Sequence, residues 1–150
     1  AIGARLAEIT GAEWGYITSG CAAAINQITA AAIAGGDPEK AARLPDTTGM
    51  PNEVIQEACL RSGYESCIRI AGGRVVTVET ETELRAAIGP RTALVFVDGD
   101  AEARSRIGPQ RLIAIARENG VTASWVDAME ASLREPRREG LLSFLRPRRR

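Results

Sequence analysis

The run Ala93-Leu94-Val95-Phe96-Val97 does most to limit what this chain can fold into. An unbroken apolar stretch rich in β-branched and aromatic side chains describes a strand covered on both faces. A strand with one wet face would alternate apolar with polar residues. Other short segments carry strand character as well: Trp14–Thr18, Glu53–Gln56, Arg74–Val78 and Thr122–Val126. Helical patterns separate them, over 3–10 with Ile2, Leu6 and Ile9 on one face, 20–34, about 64–71, 81–88 and 109–119. Gly11, Gly35-Gly36, Gly89-Pro90 and Gly120 mark helix ends, and Asp37–Pro51 reads as a loop. Strands alternating with helices of this length form βαβ units. The expected fold is therefore α/β, a three-layer α/β/α arrangement on a mainly parallel sheet. With 150 residues, one such core fits and two do not.

In open parallel sheets, ligands bind beyond the carboxyl ends of the strands. Two features of the sequence fall there. Thr18-Ser19-Gly20-Cys21-Ala22-Ala23-Ala24 follows a strand-like run and opens an alanine-rich helix, and Asp127 follows the strand Thr122–Val126. Free N–H groups at a helix start receive anions, and small side chains let a phosphate reach the backbone. The same residues also suit a tight strand–helix connection, and Asp127 suits a helix N-cap. Cys21 has no identifiable base beside it and reads as a small packing residue. Asp98 and Asp100, around Gly99, carry a weak metal-ligand signal and read more plainly as a polar loop.

Two absences exclude much chemistry. The chain has no histidine, so the usual general base near neutral pH is missing. Lys40 is the only lysine, and its setting reads as a solvated loop. Cys21, Cys59 and Cys67 are odd in number without CxxC spacing, which argues against a disulfide framework and a zinc site. A reduced, cytoplasmic compartment is expected, with no membrane span and no signal peptide. Zero net charge hides an asymmetry: 133–150 hold seven Arg against two Glu, a net of +5, so 1–132 carry −5. Without interleaved aromatics this segment reads as a poorly ordered tail, and nucleic acid is not an expected partner. The domain is placed at 1–132 and the tail at 133–150. No GxGxxG follows a strand, which disfavours a dinucleotide binder.

The order of motifs resembles a family. Gly11-Ala12-Glu13-Trp14-Gly15-Tyr16-Ile17-Thr18-Ser19-Gly20-Cys21-Ala22-Ala23-Ala24 is similar to the start of the large domain in selenocysteine-synthase-like enzymes. These are pyridoxal-phosphate (PLP) proteins of fold type I, a group that takes in D-glucosaminate 6-phosphate ammonia-lyase. The resemblance continues through Ala34–Lys40, Arg43-Leu44-Pro45-Asp46-Thr47-Thr48-Gly49-Met50, Asn52–Ile55, Ile68–Gly72, Pro90–Ala93 and Val126-Asp127-Ala128. It implies part of a PLP-dependent transferase (aspartate aminotransferase-like) large domain. The implied activity is lyase or transferase work on an amino acid or amino sugar acid, commonly in a homodimer.

By the same resemblance, Ser19, Gly20, Cys21 and Ala22 bind the PLP phosphate, and Asp127 pairs with the protonated pyridine nitrogen. The family's Schiff-base lysine belongs to a later Ser-Gly-Gly-Lys type segment that this sequence does not contain. Leu60 stands where a histidine near the cofactor ring is expected, and Glu65 where the pattern has Asp. The resemblance stops after Ala128, as in a truncated or frameshifted gene product. The expectation is an incomplete copy, inactive alone. The alternative is a non-catalytic PLP-binding or protein-interaction remnant.

Overall fold

The computed structural model describes residues 2–10, 16–98 and 103–126. In chain order the elements are α1 (Ile2–Thr10), α2 (Cys21–Ala34), α3 (Pro38–Arg43), β1 (Glu53–Glu57) and a 3₁₀ turn (Ala58–Leu60). Then follow α4 (Glu65–Ile70), β2 (Arg74–Val78), α5 (Glu81–Ala87), β3 (Thr92–Asp98), α6 (Pro109–Glu118) and β4 (Thr122–Val126). The four strands are all parallel, in the order β2-β1-β3-β4. This is the α/β fold that the alternating pattern implies.

Each face of the sheet carries its own core. On one face Ile25 and Ile33 of α2 and Ile68 of α4 pack with Val54, Leu94 and Phe96. On the other, Leu84 of α5 and Leu112, Ile115 and Ala116 of α6 pack with Ile55, Val95 and Val97. Alternate residues of β1 and β3 thus serve opposite cores, which is why β3 is apolar throughout its middle and Val54 and Ile55 of β1 are both fully buried. The chain leaves β1 toward α4 on one face and leaves the neighbouring β3 toward α6 on the other. The crevice between their carboxyl ends is the topological switch point of this sheet.

Two expectations need correction. The expected strand Trp14–Thr18 is not seen over its described part: 16–18 are irregular, and 11–15 lie outside the described residues. Tyr16 and Ile17 are 65% and 63% exposed, and no described strand lies beside them to supply a ladder. The stretch Asp37–Pro51 is not all loop. Asp37 accepts the N–H groups of Glu39 and Lys40 at 2.9 and 3.2 Å, and Pro38 fills the first helical position, so α3 forms despite its shortness. The segment 133–150 lies outside the described residues. No helix among those described is long and apolar enough to cross a membrane.

The Leu44–Gly49 stretch has a structural task at the amino end of the sheet. Asn52 Nδ2 donates to Thr47 Oγ1 at 2.9 Å and reaches Gly72 O at 3.4 Å, joining this loop to the turn before β2. Gly72 has φ +90°, and a Cβ there would overlap Pro45 O and Thr47 Cγ2. Only glycine meets both demands.

Candidate cofactor site at the start of α2

α2 lies against β3 and β4. A Cβ added to Gly73, the residue before β2, would meet Thr29 Cγ2 at 3.0 Å, so the later part of α2 crosses the amino edge of the sheet. The helix therefore runs against the strands, with its N-terminus toward their carboxyl ends. Gly20 is the N-cap, with φ 145° and ψ 178°, and it offers no side chain to cap the first turn. The first intrahelical bond runs from Ala24 N–H to Gly20 O at 3.0 Å. Thr18 Oγ1 donates to that same carbonyl at 2.9 Å, which fixes the approach to the helix. Ser19, Gly20 and Ala22 are exposed and Cys21 is half-buried. Nothing stands within 4 Å of a Cβ placed on Gly20.

The setting fits a phosphate: a helix start without a side-chain cap, a neighbouring hydroxyl, small side chains and open approach. Sequence position thus brings Ser19, Gly20, Cys21 and Ala22 together at one helix start. Asp127 lies outside the described residues, one residue past the end of β4 at Val126. Asp98 ends β3, and Asp100 lies outside the described residues. Lys40 sits on α3 with Nζ 3.7 Å from Asp37 Oδ2. α3 follows the far end of the 14-residue α2, so Lys40 lies beyond the end of that helix remote from its start.

Leu60 does not face the site. It is 1% exposed and packed with Ile55, Val95 and Leu112 in the α5/α6 core. Glu65 is also buried, accepting Gln56 Nε2 at 2.8 Å and Arg61 Nε at 2.7 Å. The Arg61 hydrogen bond pulls its carboxyl below the ordinary value, against burial, which pushes it up.

One group at the switch point escapes the sequence reading. Glu57, the last residue of β1, is 1% exposed and accepts bonds from Ser105 Oγ and from the N–H groups of Arg106 and Ile107. It ties the segment entering α6 to the end of β1. Burial first, then Glu57, raises the neighbouring Cys59 thiol above its ordinary value. The strand as read, Glu53–Gln56, ended one residue short of Glu57.

No family model matches the chain. D-glucosaminate-6-phosphate ammonia lyase of Salmonella typhimurium is 40% identical over 103 residues, covering 63% of this chain and 28% of that protein. The solved structure of D-glucosaminate-6-phosphate ammonia-lyase superposes with a TM-score of 0.76 at 31% identity, over 82% of this chain and 36% of that one. This chain is homologous to D-glucosaminate-6-phosphate ammonia lyase.

The 5'-C-glycyluridine monooxygenase-decarboxylase of Streptomyces sp. is 35% identical over 147 residues, 89% of this chain and 37% of that protein. Serine palmitoyltransferase from S. paucimobilis, solved with bound PLP-myriocin aldimine, matches at 16% identity with a TM-score of 0.56, over 83% of this chain and 30% of that one. At that identity the likeness concerns the fold alone. The fold is that of the PLP-dependent transferases. The chain spans about a third of the length of the curated relatives it matches, 28% and 37%.

Proposed function

We propose that this chain forms the phosphate-holding front of a PLP-dependent lyase or transferase acting on an amino acid or amino sugar acid. The observation that carries the reading is the exposed start of α2, without a side-chain cap, at the carboxyl edge of the sheet, within a chain homologous to an ammonia lyase. PLP, when bound, supplies an electron sink that eases loss of a group from the substrate carbon. The residues of this chain then bind and orient. Backbone N–H groups of the Ser19-Gly20-Cys21-Ala22 turn, with the Ser19 hydroxyl, would donate to the phosphate. Asp127, directly after β4, keeps a proton on the pyridine nitrogen through its negative charge.

The covalent anchor is the part this sequence does not offer. Lys40 is its only lysine, and it sits on α3, past the far end of α2, with its Nζ 3.7 Å from Asp37 Oδ2. We therefore assign no turnover to this chain alone. The reading extends to a cytoplasmic protein that pairs as a homodimer around small-molecule substrates. A non-catalytic, PLP-binding role is the second reading, favoured by Leu60, which fills the core where the family pattern has a histidine. Incubation with PLP and borohydride, followed by intact mass measurement, is expected to give no stoichiometric lysine adduct. A full adduct on Lys40 overturns the assignment.

A further inference from the structure

Strand β2 borders the sheet, and among the described residues no strand pairs with its outer side. The Arg74 N–H donates to Asn52 O at 2.8 Å, so in this parallel ladder residues 74, 76 and 78 bond toward β1. The N–H and C=O groups of Val75 and Thr77 consequently point outward. The same two residues line a groove of about 410 Å³ between β2 and α4, bordered by Arg61, Arg69 and Arg74.

Charge at this edge is lopsided. Side chains of Arg61, Arg69 and Arg74 are 62%, 60% and 56% exposed. Buried Glu65 serves Arg61 and Arg69, while buried Glu53 serves Arg74 and Arg91. Among the residues lining the groove, three guanidinium groups against the one carboxylate of Glu65 leave a net of +2. A like-charged edge from a second copy is repelled here, whereas an acidic strand is attracted.

We propose that this groove docks an extended acidic segment of a partner protein, which adds a strand to β2 and sets alternate carboxylates against Arg61, Arg69 and Arg74. The proposal is independent of the cofactor reading, because it uses the opposite border of the sheet from β4. It is tested by fluorescence anisotropy of the full chain with a labelled peptide of about ten residues that alternates Glu and Val. A second peptide, N-methylated at alternate residues, keeps the charge and loses backbone donors.

Saturable binding of the first peptide is expected. It should weaken about tenfold on N-methylation, and about tenfold in Arg69→Gln or Thr77→Pro variants that retain the wild-type circular dichroism. Absence of saturable binding overturns the proposal. So does equal affinity for the methylated peptide, which would mean charge alone, or full competition by inorganic phosphate at matched ionic strength, which would mean a small-anion site.

Discussion

The hydroxyl of Ser105 donates to the buried carboxylate of Glu57 and accepts the Gly108 N–H at 2.8 Å. One short relay thereby connects the end of β1 to the residue that starts α6. Removing the carboxylate takes away the acceptor of the part-buried Arg106 and Ile107 N–H bonds and leaves a void at the buried end of β1. Glu57→Ala is expected to cost about 3 kcal/mol in urea unfolding, and Ser105→Ala about 1 kcal/mol. Because the two residues act through one network, Ser105→Ala should cost clearly less in a Glu57→Ala background. Strict additivity would show that the relay does not work as a unit.

Glu65 predicts a pH effect of definite sign. Its folded pKa lies below the ordinary value of 4.5, chiefly through the Arg61 hydrogen bond. The stability it contributes is fully present above that ordinary value and is lost as pH falls through the lower, folded one. The wild-type protein should therefore lose stability below about pH 4.5 more steeply than Glu65→Gln. Chemical denaturation across the acid range measures it, and parallel curves would remove Glu65 from this role.

Gly72 is the point where the Leu44–Gly49 loop meets the turn before β2. Gly72→Ala forces a side chain into φ +90° and against Pro45 O. A loss of about 3 kcal/mol is expected. Gly36→Ala, where a Cβ meets nothing within 4 Å, serves as the control and should stay within about 1 kcal/mol of wild type. Similar losses in both would contradict the close-approach account.

Leu60 offers a test of what its departure from the family pattern means. It is buried among apolar side chains, so Leu60→His places an imidazole where no polar partner is on hand. A loss of about 3 kcal/mol is expected in thermal or urea unfolding. An unchanged or higher stability would show that the position can open toward the site.

The legible parts of this fold were those whose signal is local. β3 follows from its apolar run, and α5 and α6 from periodicity with Gly stops. α3 was missed because six residues carry no periodicity, and only the Asp37 cap with Pro38 announces it. The buried polar residues Glu53, Gln56 and Glu57 were illegible for a different reason. Their partners Arg91, Glu65 and Ser105 lie well away in the chain, so their satisfaction depends on the fold itself. At the candidate site, the start of α2 was readable from small residues before an alanine-rich helix. Its direction across the sheet was not, because only the packing of Thr29 over Gly73 fixes it.

The central claim is that the start of α2 holds the cofactor phosphate. The most direct measurement is equilibrium binding of PLP, and of pyridoxal without its phosphate, to the full chain and to Ser19→Asp. Saturable PLP binding is predicted, about tenfold tighter than pyridoxal, with that advantage abolished in Ser19→Asp, where an added carboxylate repels the phosphate. Equal affinity for PLP and pyridoxal, or an undiminished preference for PLP in the variant, would contradict the account.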